Sequence, residues 1–207
     1  MGSMMGHAGM AATVVRYLRS VGAPTAESPV EALPRPDLRA VGDDERAPVD
    51  PAEFRRVMGE FASGVTVVTA TEPDAGAAGF ACQSFASLSL DPPLVAFMVA
   101  RTSTTWPRIA RAGSFCVNVL GADQGELCRG FAVSGADKFA GVAYDEAPVS
   151  GAPRLDGAAA WIDCAIHAVH TGGDHLIVVG RVSALGSADG GAGPLVFHRG
   201  AFSALRG

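Results

Sequence analysis

Gly79-Phe80-Ala81-Cys82-Gln83-Ser84-Phe85-Ala86-Ser87-Leu88-Ser89-Leu90-Asp91-Pro92-Pro93 interleaves small and hydroxylated residues with apolar ones and then stops at a rigid Asp-Pro-Pro. From Ala81 to Ser89 the odd positions are Ala, Gln, Phe, Ser and Ser, and the even ones are Cys, Ser, Ala and Leu. Neither set is the clean apolar face of an ordinary half-buried strand. A strand that packs a core and also presses backbone amides and hydroxyls against a polar ligand has this composition. So has a Ser-rich edge strand, and on composition both readings stand. Gly79 permits close backbone approach, while Gln83, Ser84, Ser87 and Ser89 can each donate and accept hydrogen bonds.

Working outward, Leu94-Val95-Ala96-Phe97-Met98-Val99-Ala100 is a fully buried strand. Arg101-Thr102-Ser103-Thr104-Thr105-Trp106-Pro107 follows it and leads into a short helix, Arg108 to Ala112. Unpaired N–H groups and the positive dipole end suit a helix N-terminus to an anion. Four hydroxyls beside an arginine at that place are either a phosphate cradle or a plain cap with spare threonines. Upstream, Asp50-Pro51-Ala52-Glu53 has an N-cap, proline at the first helical position and glutamate three after the cap. Phe54, Val57, Met58 and Phe61 follow at helical spacing until Ser63-Gly64 ends the helix, and Val65 to Ala70 is a β-branched strand. Glu72 to Ala78 is a turn.

Downstream, Ser114 to Leu120 is a strand, Asp123 to Phe131 a helix, and Ser134 to Val142 a short helix and loop. Ala158 to His170 is a long strand, with Trp161, Asp163, Ala165, His167 and Val169 on one face. It turns at Gly172-Gly173-Asp174-His175 into Leu176 to Val182, making a hairpin. A Gly-rich loop at 186–193 precedes a last strand, Pro194 to Phe202. Strands outnumber helices and are too close in sequence for parallel crossovers. The expected fold is mainly β, an antiparallel barrel with peripheral short helices.

The chain has 207 residues, 48% of them hydrophobic, and a net charge of −5. That suffices for one sizeable core plus a tail. The organisation expected is an irregular arm or linker at 1–49, with a short helix at Ala12 to Leu18, and one domain at 50–207. Val21 to Asp50 has too few large apolar residues to offset its ordering entropy. The acidic balance argues against nucleic acid, and no apolar run is long enough to cross a bilayer. Cys82, Cys116, Cys128 and Cys164 form no Cys-x-x-Cys pair, so no metal is expected, and they read as buried thiols of a reducing cytoplasm.

Among chemical motifs, no strand is followed by Gly-x-Gly-x-x-Gly, and neither a P-loop nor a Gly-x-Ser-x-Gly elbow is present. His167 and His170, three apart in a strand, fall on opposite faces and are poor chelators. His175 stands at a hairpin tip beside Asp174, where a carboxylate can orient or charge an imidazole. It is either functional or a common surface turn histidine. His198-Arg199 could present a cation or form an exposed ion pair. Trp106 and Phe131 could flank a ligand ring or fill the core.

The run from Gly79 to Pro93 resembles the signature of the short-chain flavin reductases, the reductase components of two-component flavin-dependent monooxygenases. So do Ser103-Thr104-Thr105-Trp106, Phe115 to Leu120, Asp137-Lys138-Phe139, Gly172 to His175 and Pro194 to Gly200. The resemblance spans about residues 51–205 in order and spacing. The Cys82-Gln83 pair and Ser103-x-Thr105-Trp106 are most similar to reductases serving a phenol-ring hydroxylase of steroid catabolism.

This resemblance implies an FMN-binding split β-barrel, Greek-key-like, usually a homodimer with flavin at the interface. It implies that NADH or NADPH reduces FMN or FAD and that free reduced flavin leaves for a partner monooxygenase. It places flavin contacts on Gly79, Phe80, Ala81, Gln83, Ser84, Met98, Val99, Ala100, Thr104, Thr105 and Phe131, with the phosphate on the two threonines. It places the nicotinamide at Gly172, Gly173, Asp174 and His175, with His175 in the catalytic role. Hydride transfer between two cofactors needs no acid–base residue on a substrate, which accounts for the missing triad. Ala81 departs from the family's frequent threonine, Phe197 and Phe202 from its frequent tyrosines, and the N-terminal arm has no counterpart. A flavin carrier on the same barrel is the alternative. A pyridoxamine-phosphate oxidase relative would want more basic residues at the phosphate.

Overall fold

The computed structural model describes residues 49–135, 137–188 and 193–204. The expected helix at Ala12–Leu18 and the arm up to residue 48 lie outside them. The chain divides into two compact units, Met1–Glu60 and Phe61–Gly207. In the first, helix α1 spans Pro51–Met58. Its Asp50 cap is as expected, with Oδ1 accepting from the amides of Ala52 (2.9 Å) and Glu53 (3.0 Å). Glu53 does not reach back to complete a capping box; its carboxylate pairs with Arg56 instead. The helix stops at Gly59, before Phe61, and Phe54, Val57, Met58 and Phe61 are all exposed.

The second unit is built on a seven-stranded sheet whose paired strands are all antiparallel. Its strands are β2 (Thr66–Glu72), β3 (Gly76–Cys82), β4 (Phe85–Leu90), β5 (Pro93–Ala100), β6 (Ser114–Val119), β9 (Ala160–Gly172) and β10 (His175–Ser187), in the order β3-β2-β6-β9-β10-β5-β4. The sheet rolls until Phe80 on β3 meets Phe97 on β5, with ring centroids 6.0 Å apart. Helices α2 (Trp106–Ala112) and α3 (Gly125–Ala132) lie peripherally. Asp137-Lys138-Phe139 forms a turn, not the expected helix. A small sheet of β1 (Ser63–Gly64), β11 (Leu195–His198) and β12 (Ala201–Ala204) and a pair, β7 (Tyr144–Glu146) with β8 (Pro153–Leu155), complete the unit.

Strand β2 is buried on both faces, as its β-branched run requires. Val68 and Ala70 join the main core of Phe97, Trp106, Ile109, Phe115 and Val178, while Val65 and Val67 join a second cluster with Phe131, Leu155 and Leu195. Trp106 thus fills the core, edge-on to Phe97 at 6.3 Å. A Cβ at Gly180 would collide with the Phe115 ring and lie 3.2 Å from the Cβ of Cys164. Gly180→Ala is expected to cost about 2 kcal/mol of stability by overpacking and to lower Tm by about 6 °C, measured by thermal unfolding.

Further elements differ from the sequence-based expectation. Ser63-Gly64 is not a helix end but a short strand paired with Phe197 and Val196. The last strand is a hairpin, because Arg199 (φ 50°) and Gly200 (φ 78°) both take positive φ and make a two-residue turn. A register slip between Val179 and Gly180 bulges His167 out of the β9 ladder. The slip puts Val169 in the core with Ile162, Cys164 and Ile166, and leaves His167 and His170 both exposed instead of on opposite faces. Strand β10 also runs on to Ser187, shortening the expected Gly-rich loop, of which 189–192 lie outside the described residues.

Glu72 ties α2 to the β2–β3 turn. Its carboxylate accepts from Arg108 Nε at 2.9 Å and Arg111 Nε at 2.5 Å. Arg108 Nη2 also donates to the carbonyls of Ala75, Gly76 and Ala77. The hydrogen bond from Arg111, then that from Arg108, holds the Glu72 carboxyl below its ordinary pKa. A depressed folded-state pKa stabilises fully above the unfolded-state value and is lost as pH falls through the folded-state value. Glu72→Gln is expected to cost about 1 kcal/mol at neutral pH, discounted for the half-exposed Arg111, with the difference from wild type closing as pH drops into the acid range. Paired denaturant titrations across pH measure it.

Candidate functional site

Strands β3 and β4 join at Gln83–Ser84, where a hydroxyl does the work of the ladder. Ser84 Oγ donates to the Met98 carbonyl (3.0 Å) and accepts from the Met98 amide (3.1 Å). This stitch leaves β3, the bend and β5 as three sides of a cavity of about 520 Å³. Phe80 and Ala81 line it from the first side, Gln83 and Ser84 from the second, and Met98, Val99 and Ala100 from the third. Thr104 and Thr105 close one end, and Phe131 of α3 forms a wall.

Gly79 lines an adjoining cavity of about 240 Å³ instead. A Cβ there would lie 2.8 Å from the Phe131 ring, so the glycine makes room for that ring. The Ser84 hydroxyl is likewise committed to Met98, so Ser84 offers the cavity a surface held by its own backbone stitch. Ser87 and Ser89 belong to β4 and line neither cavity. His198 and Arg199 lie outside both as well.

The threonine end differs from a helix-dipole cradle. The Trp106 amide is taken by Ser103 Oγ at 3.2 Å, position 107 is a proline without an N–H, and the Arg108 amide bonds the Thr105 carbonyl. The first-turn amides expected to meet an anion are therefore spent. Thr105 makes no side-chain capping bond, which leaves its hydroxyl for a ligand. Positive charge comes from a residue to which the sequence assigned no role. Lys138 lines both cavities, and its ammonium donates to the carbonyls of Gly79 (3.2 Å) and Phe131 (3.0 Å). Burial lowers its pKa. The only sequence signal was its place in the Asp137-Lys138-Phe139 triad. Thr102, Ser103 and Ser134 are further lining residues that the sequence did not single out as contacts.

His175 reaches the same cavity through strand register. It pairs with Ala100 on β5 and with Gly172 on β9, and the Arg101 amide bonds the Asp174 carbonyl at 2.9 Å. Gly173 (φ 67°) supplies the turn. Of the four turn residues only His175 lines the cavity. Asp174 Oδ1 lies 2.7 Å from His175 Nδ1, and that hydrogen bond lowers the Asp174 pKa. An ionised carboxylate only accepts, so Nδ1 carries the proton and Nε2 remains for a ligand.

The larger cavity has the size of a small-molecule site. Apolar walls at Phe80, Met98, Val99 and Phe131, with hydroxyls and one ammonium gathered at one end, fit a planar ring system carrying a phosphate. That is the shape and polarity of a flavin.

A family model described as the flavin reductase like domain matches residues 58–206. The reductase subunit HsaB of a flavin-dependent monooxygenase from Rhodococcus jostii is 48% identical over 157 residues, covering 76% of this chain and 79% of that protein. A flavin reductase of Pseudomonas putida is 46% identical over 157 residues, covering 76% and 91%. The structure of the NADH:FAD oxidoreductase SgcE6 of Streptomyces globisporus, in complex with NAD and FAD fragments, is 36% identical with a TM-score of 0.72, covering 78% of this chain and 98% of that one. The mainly β, antiparallel barrel is the split barrel of these reductases, and the chain belongs to the flavin reductase family.

Proposed function

We propose that this protein passes a hydride from NADH or NADPH to FMN or FAD and releases the reduced flavin to a partner flavin-dependent monooxygenase. The observation that carries the reading is the convergence of His175 and the Thr104–Thr105 end on one cavity. A bound flavin supplies the two-electron chemistry. The chain's residues bind and orient. Phe80, Met98, Val99 and Phe131 would hold the ring system, with Ala81 and Gln83 beside it. Thr104, Thr105 and Lys138 hold the phosphate, and His175 Nε2 accepts from the nicotinamide carboxamide while Asp174 fixes the imidazole. Gly172 and Gly173 shape the turn that delivers it.

The flavin end has one ammonium and neutral hydroxyls, so flavin dissociation costs little, in keeping with a protein that hands its product on. Anaerobic mixing with NADH and flavin, followed by ultrafiltration, tests this: reduced flavin is expected in the filtrate. Stoichiometric retention of flavin with the protein would favour the carrier.

The working unit is read as a homodimer. Edge strand β4 exposes Leu88 and Leu90, the latter 94% accessible, and an apolar sheet edge of this kind calls for cover. Cytoplasmic placement is supported by four cysteines that are all free and buried. Among the described residues no helix is long and apolar enough to cross a membrane. Residues 1–49 are read as an arm to the domain at 50–207.

A further inference from the structure

The flavin reading of the larger cavity leaves open which flavin it serves, and the smaller cavity beside it bears on that choice. The two share Thr104, Thr105 and Lys138. A ligand that passes these three residues from the larger cavity has the smaller one directly ahead. FMN ends in one phosphate and needs only the junction. Resting on the flavin reading above, we propose that the smaller cavity receives the adenylate half of FAD, so that this chain prefers FAD to FMN.

The smaller cavity answers each part of that group. Room comes from Ala77 and Ala78, whose small side chains leave about 240 Å³ between β3 and Gly135, Asp137, Lys138 and Phe139. Charge for two linked phosphates comes from both sides of the junction. The Lys138 ammonium has three N–H groups, and two go to the carbonyls of Gly79 and Phe131. The third is open to an anion, and a half-buried cation gains from one. Arg108 lines the smaller cavity alone, and its guanidinium is held in place by Glu72 and the Ala75–Ala77 carbonyls, with Nη1 remaining. Asp137 also lines it. Its Oδ1 accepts from the Phe139 amide and keeps acceptor capacity for ribose hydroxyls. The Phe139 ring, edge-on to Phe131 at 5.1 Å, offers aromatic surface to a base.

The same adenylate chemistry exists on the nicotinamide dinucleotide, so the test separates the two sources. Titrations of FMN, FAD and riboflavin followed by flavin fluorescence, without nicotinamide, are made on the wild type and on Ala77→Leu. Ala77 lines only the smaller cavity. The wild type is expected to bind FAD at least about tenfold more tightly than FMN, the worth of one added charge-assisted hydrogen bond. Ala77→Leu is expected to erase that advantage while FMN affinity stays unchanged, which also shows that the variant is folded. Equal affinities for FMN and FAD in the wild type would overturn the inference and leave the flavin reading intact. Steady-state kinetics with NADH on the same two proteins separate the other source: an Ala77→Leu effect confined to the KM for NADH would likewise overturn the inference and assign the cavity to the nicotinamide dinucleotide. Failure to bind any of the three flavins would overturn the flavin reading itself.

Discussion

His175→Ala is expected to lower kcat/KM for NADH by about 10- to 100-fold while leaving the flavin Kd nearly unchanged, the scale of loss that follows from misplacing one reactant. The argument is positional. Hydride transfer needs the nicotinamide held over the flavin ring at contact distance, and the chain offers no acid or base that the step requires. His175 is placed by its pairing with Ala100, a cavity residue, and its ring is oriented by the Asp174 carboxylate at 2.7 Å. Removing the imidazole removes the contact to the carboxamide without disturbing the threonine end or the Ser84 stitch. Asp174→Asn keeps the imidazole but loosens its tautomer, so its loss is expected to be smaller. Steady-state kinetics with flavin titrations on both variants check this. Equal loss of flavin affinity and turnover in His175→Ala would make the turn a structural element.

Thr104→Val combined with Thr105→Val is expected to weaken FMN and FAD binding by about 100-fold and to leave riboflavin unaffected. Each hydroxyl that donates to a phosphate oxygen is worth about 1.5–3 kcal/mol, so two removed together exceed a tenfold change comfortably. The swap keeps shape, and Thr105 makes no capping bond, so the helix after it is not undermined. Comparison of the three flavins in one titration isolates the phosphate. An unchanged preference for FMN over riboflavin would remove the threonines from the phosphate site and leave Lys138 to carry it alone.

The fold was legible where local chemistry and tertiary packing agree. Gly172 to His175 reads as a hairpin turn, and the turn brings His175 to the cavity. The run from Gly79 reads as a ligand-facing strand or as a Ser-rich edge strand, and its two halves divide that way: Phe80 to Ser84 line the cavity, while Phe85 to Leu90 form the edge strand β4. What was hidden is non-local. Period-2 counting carries Val169 to the wrong face because nothing in the sequence marks the slip opposite Val179–Gly180. Arg199-Gly200 is a weak turn signal, since arginine seldom takes positive φ, so the final hairpin was merged into one strand. The partners of Gly79 and Ser84 were equally hidden, since the first makes space for Phe131 and the second bonds Met98, 52 and 14 residues away (131 − 79 and 98 − 84). Lys138 had no local pattern to set it apart from a surface lysine. Only its donation to Gly79 and Phe131 fixes it between the cavities.

The most direct test of the central claim is oxidation of NADH and NADPH, followed by loss of nicotinamide absorbance, with apo protein to which FMN, FAD or riboflavin is added in turn. Turnover that depends on added flavin, and that exceeds one equivalent of flavin per protein, is the predicted result. Yellow protein that retains stoichiometric flavin and oxidises neither nicotinamide would contradict it.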